Sequence, residues 1–133
     1  MTQAIEDITQ ATKDWGTAFQ AGDVSHIMAF ITEDAVLIPP NRPAVIGGDA
    51  IRAWSQRMLE AVTILEINIT VDGVRVARDW AVSHGEWHMT ISVGDAKVSD
   101  TTRYAIIWEQ QTNGAWKVVH DVWNSALPEQ LNT

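Results

Sequence analysis

Hydrophobic residues recur at helical spacing through the first part of the chain. One stripe consists of Ile5, Ile8, Thr12, Trp15 and Phe19. This spacing predicts a first helix over residues 3–21, which ends at Gly22. Asp23 and Asp49 are of a residue type that favours the N-cap position. They predict the starts of a second helix and of a third helix over residues 50–61.

Hydrophobic and polar residues then alternate with a period of two, which indicates β-strands. The predicted strands cover residues 35–38, 63–72, 74–77, 80–93, 98–109 and 115–125. The dipeptide Asp72–Gly73 favours a hairpin turn between two of them. Three helices and a run of antiparallel strands predict an α+β fold, with the helices on one face of a curved sheet. We expect a single domain over residues 1–133.

The strand over residues 80–93 has two unlike faces. One face carries Ser83, Gly85, Trp87, Met89 and Ile91, and the other carries Val82, His84, Glu86, His88 and Thr90. The first set is predicted to face the helices, and the second to form a homodimer interface on the outer face of the sheet. Residues at i and i+4 of a strand lie about 13 Å apart, so the two histidines of the second set predict no metal site.

Composition and charge exclude several classes of function. The net charge is −8, whereas a nucleic-acid-binding protein needs a basic face. The chain has no cysteine, which excludes thiolate catalysis and cysteine-ligated zinc. No stretch resembles a secretory signal or reaches the length of a membrane span, so we expect a soluble cytoplasmic protein without a membrane partner.

Tryptophan is the unusual component of the composition. The chain has seven tryptophans but only one tyrosine and two phenylalanines. Large aromatic side chains line apolar ligand pockets and also fill cores and interfaces. The composition alone therefore leaves a ligand pocket and a filled core as alternatives.

Three stretches of the sequence resemble a known family. "AGDVSHIMAFITEDAVLIPPNRPAVIGGDAIRAW" resembles the front half of SnoaL-like proteins, which belong to the nuclear transport factor two and ketosteroid isomerase superfamily. "GEWHMTIS" and "DTTRYAIIWEQQTNGAWKVVHDVWNS" are similar to the SgcJ/EcaC-type branch of that superfamily. The resemblance implies a cystatin-like roll: a cone-shaped, curved antiparallel sheet packed on three N-terminal helices. It also implies a pocket at the mouth of the cone and a homodimer.

The catalytic residues of the ketosteroid isomerases do not carry over with the resemblance. Alignment on Gly22 and Asp23 puts Pro39 at the general-base aspartate and Trp15 at the tyrosine, and no carboxylate lies near residues 104–106. Limonene epoxide hydrolase uses an Asp-Arg-Asp set, of which Arg103 and Asp121 supply only two members. SnoaL-type cyclases use a late acidic residue, which Asp121 matches.

Asp121 is the best candidate for chemistry on the last strand. Because neighbouring strand residues point to opposite faces, Asp121 shares its face with Trp123, and His120 lies on the other face. The length of the "TNG" loop decides the partner of Asp121. A three-residue loop puts Arg103 on the same face, and a two-residue loop puts Tyr104 there. The structural interpretation, which we favour, is a buried salt bridge between Asp121 and Arg103.

The leading hypothesis is a binding protein for an apolar or aromatic small molecule, without a cofactor. The predicted ligand-binding residues are Trp15, Trp87, Met89 and Trp123 on the walls and Asn41 on the loop near the mouth, and the predicted polar or catalytic residues are Asp121, Tyr104 and Arg103. One alternative is a cofactor-independent acid/base enzyme of isomerase, cyclase or epoxide hydrolase type that uses Asp121. The other is a dimeric interaction module whose cone is filled.

Overall fold

The computed structural model describes residues 2–125. The helices are α1 (Thr2–Ala21), α2 (Val24–Met28) and α3 (Gly48–Ala61). The strands are β1 (Ile31–Ile38), β2 (Val45–Ile46), β3 (Thr63–Ala77), β4 (Trp80–Val93), β5 (Ala96–Gln110) and β6 (Trp116–Ser125). The predicted α+β architecture is confirmed, although β1 begins four residues earlier than the alternation of residues 35–38 predicted. The prediction of a single domain over residues 1–133 stays a prediction.

The helices pack their apolar stripes against the sheet. Ile8, Trp15 and Phe19 of α1 are buried, as the spacing predicted. The indole Nε1 of Trp15 donates a hydrogen bond of 3.2 Å to the carbonyl oxygen of Ile27, which ties α1 to α2. No helix among residues 2–125 is long and apolar enough to cross a membrane.

The two predicted N-caps have different outcomes. The carboxylate of Asp23 accepts a hydrogen bond from the backbone N–H of His26, so this cap is confirmed. The prediction for Asp49 is wrong, because Gly47 occupies the N-cap of α3 and Asp49 lies in the first turn. Gly47 has φ of 90°, a conformation that glycine adopts far more readily than aspartate.

The strands form one curved sheet in the order β2-β1-β6-β5-β4-β3. β1 pairs with β6 in parallel, and the other neighbours are antiparallel. The inner face of the sheet meets α1 and α3 and carries the core residues Leu37, Ile106, Trp108 and Val118, each at most 1% exposed. The curved sheet and the helices together form the predicted cone.

The predicted hairpin turn at Asp72–Gly73 is wrong. β3 runs on through both residues and has a bulge between Val71 and Gly73, and the chain turns instead at Arg78–Asp79. Pairing along the whole length of β4 outweighs the local turn preference of the dipeptide. Gly73 serves packing here, because a Cβ at this position would collide with the imidazole of His84.

The two faces of β4 are divided as the alternation predicted. Ser83 is fully buried and accepts a 2.9 Å hydrogen bond from the indole of Trp108, whereas Val82 is 41% exposed on the other face. The inner face of β4 therefore contributes to the core and to the cavity described below. Whether the outer face forms a dimer stays a prediction.

Candidate functional site

A cavity of about 200 Å³ lies between the inner face of the sheet and the helices α1 and α3. Four of the seven tryptophans line it: Trp15, Trp54, Trp87 and Trp123. Phe19, Leu37, Met58, Ile64 and Met89 complete the apolar wall. The polar lining residues are Thr102, Tyr104 and Asp121. The cavity is thus apolar with a few polar groups on one side, the usual composition of a small-molecule site.

The aromatic walls are held by edge-to-face contacts. The rings of Trp15, Phe19 and Trp87 form a triangle with centroid separations between 5.4 and 6.0 Å. On the other side, Trp54 and Trp123 lie 5.9 Å apart. Such contacts favour one arrangement of the rings and leave the space between the two groups open.

The structure brings most of the predicted ligand-binding residues together. Trp15, Trp87, Met89 and Trp123 all line the cavity, while Asn41 lies exposed on the loop after β1 and is not part of the lining. Asn41 has φ of 59°, a backbone conformation that asparagine adopts more readily than most residues, so the loop itself explains the residue type at this position. A ligand-binding role for each of these residues stays a prediction.

Trp54 and Met58 line the cavity, although the sequence did not predict them as lining residues. Both lie on the apolar stripe of α3, which points into the cone. That stripe was visible in the sequence, but periodicity alone cannot distinguish a packed core residue from one that faces a cavity.

Asp121 is the polar group that sets the character of the cavity. It is 8% exposed, and its neighbours in the adjoining strands are Leu37 and Ile106. Its Oδ1 is buried without a hydrogen-bond partner among the described residues. Burial raises the pKa of Asp121 to about 8, because the apolar surroundings disfavour the charged form. At neutral pH the carboxyl group is therefore mostly protonated and can donate a hydrogen bond.

Tyr104 lies beside Asp121 on the inner face, but its hydroxyl proton is already used. Its Oη donates a 2.8 Å hydrogen bond to the carbonyl oxygen of Thr70 on β3. The ring crosses the sheet over Gly85, where a Cβ would collide with that same carbonyl. Burial first, and then the charges of Asp72 and Asp121, raise the pKa of Tyr104 above its usual value. Tyr104 therefore stays protonated and offers a ligand only the lone pairs of its oxygen.

The prediction that Arg103 pairs with Asp121 is wrong. The "TNG" loop does have three residues, since the N–H of Gln111 donates to the carbonyl oxygen of Ala115. A bulge then shifts the register of the hairpin by one residue at Val119, which has no partner in β5. A shift of one residue exchanges the two faces of a strand. Tyr104 consequently shares the face of Asp121.

Arg103 lies on the outer face of the sheet instead. It is exposed, and its Nε donates a 3.1 Å hydrogen bond to Oδ1 of Asn124, the residue opposite it in β6. Arg103 is thus outside the cavity, and an Asp-Arg-Asp set is not assembled around Asp121.

The two histidines of β4 and its one carboxylate, Glu86, form a polar row on the outer face. Nδ1 of His88 is 2.8 Å from the hydroxyl of Thr101, and its Nε2 is 3.7 Å from the carboxylate of Glu86. Within residues 2–125, no three histidine or carboxylate side chains converge as metal ligands would. The row is therefore built of pairwise polar contacts.

Comparison with solved structures identifies the fold. A ketosteroid isomerase-like protein from Erwinia carotovora atroseptica superposes with a TM-score of 0.87 at 21% identity, over 96% of this chain and 100% of that one. A nuclear transport factor 2-like protein of unknown function from Pseudomonas putida gives a TM-score of 0.79 at 22% identity, over 100% and 94%. A nuclear transport factor 2-like superfamily protein from Salmonella enterica serovar Typhimurium gives 0.82 at 17%, over 98% and 97%. At these identities the likeness shows the fold alone.

The fold is that of the nuclear transport factor 2-like cones. The family model of the SnoaL-like domain matches residues 12–119, and the chain belongs to this family. No curated protein matches the chain. The resemblance to SnoaL-like proteins of the nuclear transport factor two and ketosteroid isomerase superfamily is confirmed, and membership of the SgcJ/EcaC-type branch stays a prediction.

Proposed function

We propose that the protein binds a small apolar or aromatic molecule that carries a hydrogen-bond acceptor such as a carbonyl oxygen. The observation that carries this proposal is the buried carboxyl group of Asp121, a residue that lines the apolar cavity and whose Oδ1 has no hydrogen-bond partner among the described residues. Leaving a buried polar group unpaired costs about 1–3 kcal/mol. A ligand that accepts a hydrogen bond from the protonated carboxyl group recovers part of this cost.

The volume of the cavity limits the size of the ligand. An apolar protein cavity of about 150 Å³ holds one benzene molecule. The cavity of this protein measures about 200 Å³, which suits a ring with a short substituent. This space also favours an open pocket over the alternative of an interaction module with a filled cone.

The polar lining supplies a hydrogen-bond donor for an acceptor on the ligand. The protonated carboxyl group of Asp121 donates one hydrogen bond, whereas the hydroxyl proton of Tyr104 is held by Thr70. An aromatic ketone or aldehyde places its carbonyl oxygen beside Asp121 and its ring between the tryptophans. Aromatic carbonyl compounds are therefore the ligand class that we propose.

A cofactor-independent acid/base enzyme is the second candidate, and the pKa of Asp121 favours it. A catalytic acid or base works best when its pKa is close to the working pH, and burial brings the pKa of Asp121 to about 8. In its ionised form, Asp121 would take a proton from the carbon next to a carbonyl group. It would return the same proton to another carbon of the ligand, which gives a net isomerisation.

Two substitutions of Asp121 test the binding proposal. The variant Asp121→Asn keeps a hydrogen-bond donor on a side chain of nearly the same shape, whereas Asp121→Leu removes the donor. With acetophenone as the probe, tryptophan fluorescence and thermal shift should show ligand affinity within about threefold of wild type for Asp121→Asn and at least about tenfold weaker for Asp121→Leu. Equal affinity of all three proteins would contradict a role of Asp121 in binding.

The same pair of variants separates binder from enzyme. An enzyme loses turnover in Asp121→Asn while it keeps ligand affinity, because the amide cannot exchange a proton. Deuterium exchange at the methyl carbon of acetophenone, followed by NMR, reports proton abstraction directly. Exchange in the wild type that Asp121→Asn abolishes would establish the enzyme. If acetophenone binds but its methyl protons do not exchange, the enzyme hypothesis is contradicted and the binding proposal stands.

A homodimer through the outer face of the sheet is part of the proposal. Ile38, Val82, Ile107 and Val122 lie there at 39–43% exposure, with Val82 opposite Ile107 and Ile38 opposite Val122. Adjacent exposed aliphatic residues favour burial against a second copy. The cytoplasmic location also stays a prediction.

Sedimentation velocity tests the dimer at micromolar concentration. Ile107→Glu should give a monomer, because it would bury a charge in the interface. Val93→Glu is the matched control, since Val93 is 47% exposed at the far end of β4 and outside the patch. A monomeric wild type, or a dimer that Ile107→Glu leaves intact, would contradict the proposed interface.

A further inference from the structure

A second concavity lies directly beside the cavity. It is a groove of about 830 Å³ between the chain segment 39–46 and helix α3. Pro39, Val45, Ala50 and Ala53 contribute to its apolar floor. We call it the α3 groove. Its apolar floor suits an alkyl chain.

Two residues belong to both the groove and the cavity. Trp54 and Met58 line each of them, so one wall separates the two spaces. On its cavity side, Trp54 contacts Trp123 edge to face. The groove and the cavity are therefore neighbours across these two side chains.

The charge of the groove is opposite to that of the protein. The chain has 17 acidic and 9 basic residues, yet the charged side chains that line the groove are Arg42 and Arg57, and no carboxylate does. Among residues 2–125, neither arginine has a carboxylate within 4.0 Å. Their guanidinium groups are thus available, and the planar fork of arginine matches carboxylate and phosphate oxygens.

We infer that the α3 groove binds the oxyanionic group of the same molecule whose apolar end occupies the cavity. This inference rests on the proposed function and narrows its ligand class to an amphipathic acid. The ring lies among the tryptophans, an alkyl segment crosses Trp54 and Met58, and a carboxylate or phosphate meets Arg42 and Arg57. The net negative charge of the protein repels an anion from the rest of the surface, whereas Arg42 and Arg57 attract it. The groove is therefore the favoured place for the oxyanion.

Pairs of acids and neutral amides test the inference. Phenylbutyrate and phenylhexanoate are compared with their amides by isothermal titration calorimetry at pH about 6.5, where Asp121 stays protonated. For at least one chain length, the acid should bind the wild type at least about tenfold more tightly than its amide, and this preference should shrink in high salt. Equal affinity of acids and amides at every length would overturn the inference.

Substitutions of the arginines locate the oxyanion. In Arg42→Gln/Arg57→Gln, the preference for the acid should fall to within about twofold, while the affinity for the amide stays unchanged. Arg52→Gln is the matched control, because Arg52 is exposed on the same helix and does not line the groove. A preference that survives the double substitution, or that Arg52→Gln removes equally, would overturn the inference.

Competition shows whether one molecule spans both spaces. Acetophenone occupies only the cavity, so it should compete with phenylhexanoate. A dissociation constant for the acid that saturating acetophenone leaves unchanged would overturn the spanning arrangement. A phenylalkyl phosphate of the same length distinguishes the two oxyanions: binding tighter than the carboxylate assigns the groove to a phosphate ester, and weaker binding assigns it to a carboxylate.

The outcomes separate this inference from the proposed function. If acetophenone and the amides bind but the acids gain nothing, the cavity has the proposed function and the inference fails alone. If neither acetophenone nor any amide or acid binds, the proposed function fails and the inference falls with it.

Discussion

The two faces of the β5–β6 hairpin carry polar residues in opposite circumstances. On the outer face, Arg103 donates to Asn124, and both side chains are exposed. On the inner face, Asp121 is buried and its Oδ1 has no partner among the described residues. The outer pair is explained by its own hydrogen bond and by water. The inner carboxyl group has no such explanation within the fold.

This difference separates polar residues that have a partner within the fold from a polar residue that is a candidate for ligand binding. Buried polar groups of folded proteins are nearly always hydrogen-bonded, so an unpaired one points to a missing partner. Tyr104 on the same inner face has a partner in Thr70 and belongs to the structural group. Nε1 of Trp116 and Nδ1 of His120 in the same hairpin are also buried without a partner among the described residues, but neither residue lines the cavity. Asp121 is therefore the unpaired residue of the hairpin that a ligand in the cavity could reach.

The largest effect on stability is expected from a substitution that fills the space over Gly85 in which the ring of Tyr104 lies. Gly85→Ala puts a Cβ against the carbonyl oxygen of Thr70 and close to the hydroxyl of Tyr104. Because backbone must move to relieve this contact, we expect a loss of about 3 kcal/mol in the free energy of unfolding, measured in urea.

Gly48→Ala is the control for this substitution. Its Cβ would meet only ordinary contacts of 3.6 Å or more, within a helix where alanine is the better residue. A Gly85→Ala variant as stable as Gly48→Ala would show that β3 and β4 can separate locally and that the position of Tyr104 is not fixed by the sheet.

The second effect is a pH dependence that belongs to Asp121 alone. The folded-state pKa of about 8 is above the usual 3.8, so the folded protein binds a proton more strongly than the unfolded chain between these values. Stability then falls as pH rises through this window and is lowest above about pH 8. Between about pH 5 and 7, wild type should lose about 1 kcal/mol per pH unit relative to Asp121→Asn.

Urea denaturation of both proteins at several pH values measures this difference. The comparison with Asp121→Asn cancels the titration of the other groups, since they are common to both. Parallel pH profiles would mean that Asp121 is ionised in the folded state and has a partner, which would remove the contrast between the two faces.

The faces of the long strands could be predicted from the sequence because alternation decides them. The alternation in β4 put Trp87 and Met89 inside, and the helical stripe of α1 put Trp15 inside. These assignments depend only on the period of the hydrophobic pattern. Exposure of a buried apolar side chain to water is unfavourable whichever residues surround it. The hydrophobic pattern therefore predicts the face of a residue without knowledge of its partners.

The partner of Asp121 could not be predicted, because it depends on one residue of register. The three-residue loop was one of the two alternatives considered, but the bulge at Val119 reverses its consequence. A bulge leaves no signal in the alternation until both strands are aligned. The wrong prediction of a turn at Asp72–Gly73 has the same cause, because the residue types at this bulge are also those of a hairpin turn.

A smaller effect is expected for Tyr104. Tyr104→Phe removes the hydrogen bond to the carbonyl oxygen of Thr70 but keeps the ring against the cavity, so stability should fall by about 1 kcal/mol. Affinity for acetophenone should stay within about twofold of wild type, since the hydroxyl proton is not available to a ligand. A tenfold loss of affinity without a loss of stability would instead place Tyr104 with Asp121 as a ligand-binding group.

The smallest effect is expected on the outer face. Arg103→Gln keeps a polar side chain opposite Asn124, and the exposed contact that it alters is screened by water. The free energy of unfolding should change by less than about 0.5 kcal/mol, and the pH profile and acetophenone affinity should match those of wild type. Measured beside Asp121→Leu, this variant shows whether polarity on one face of the hairpin is structural while polarity on the other serves a ligand. A pH profile that changes in Arg103→Gln would mean that the two faces are coupled through the sheet.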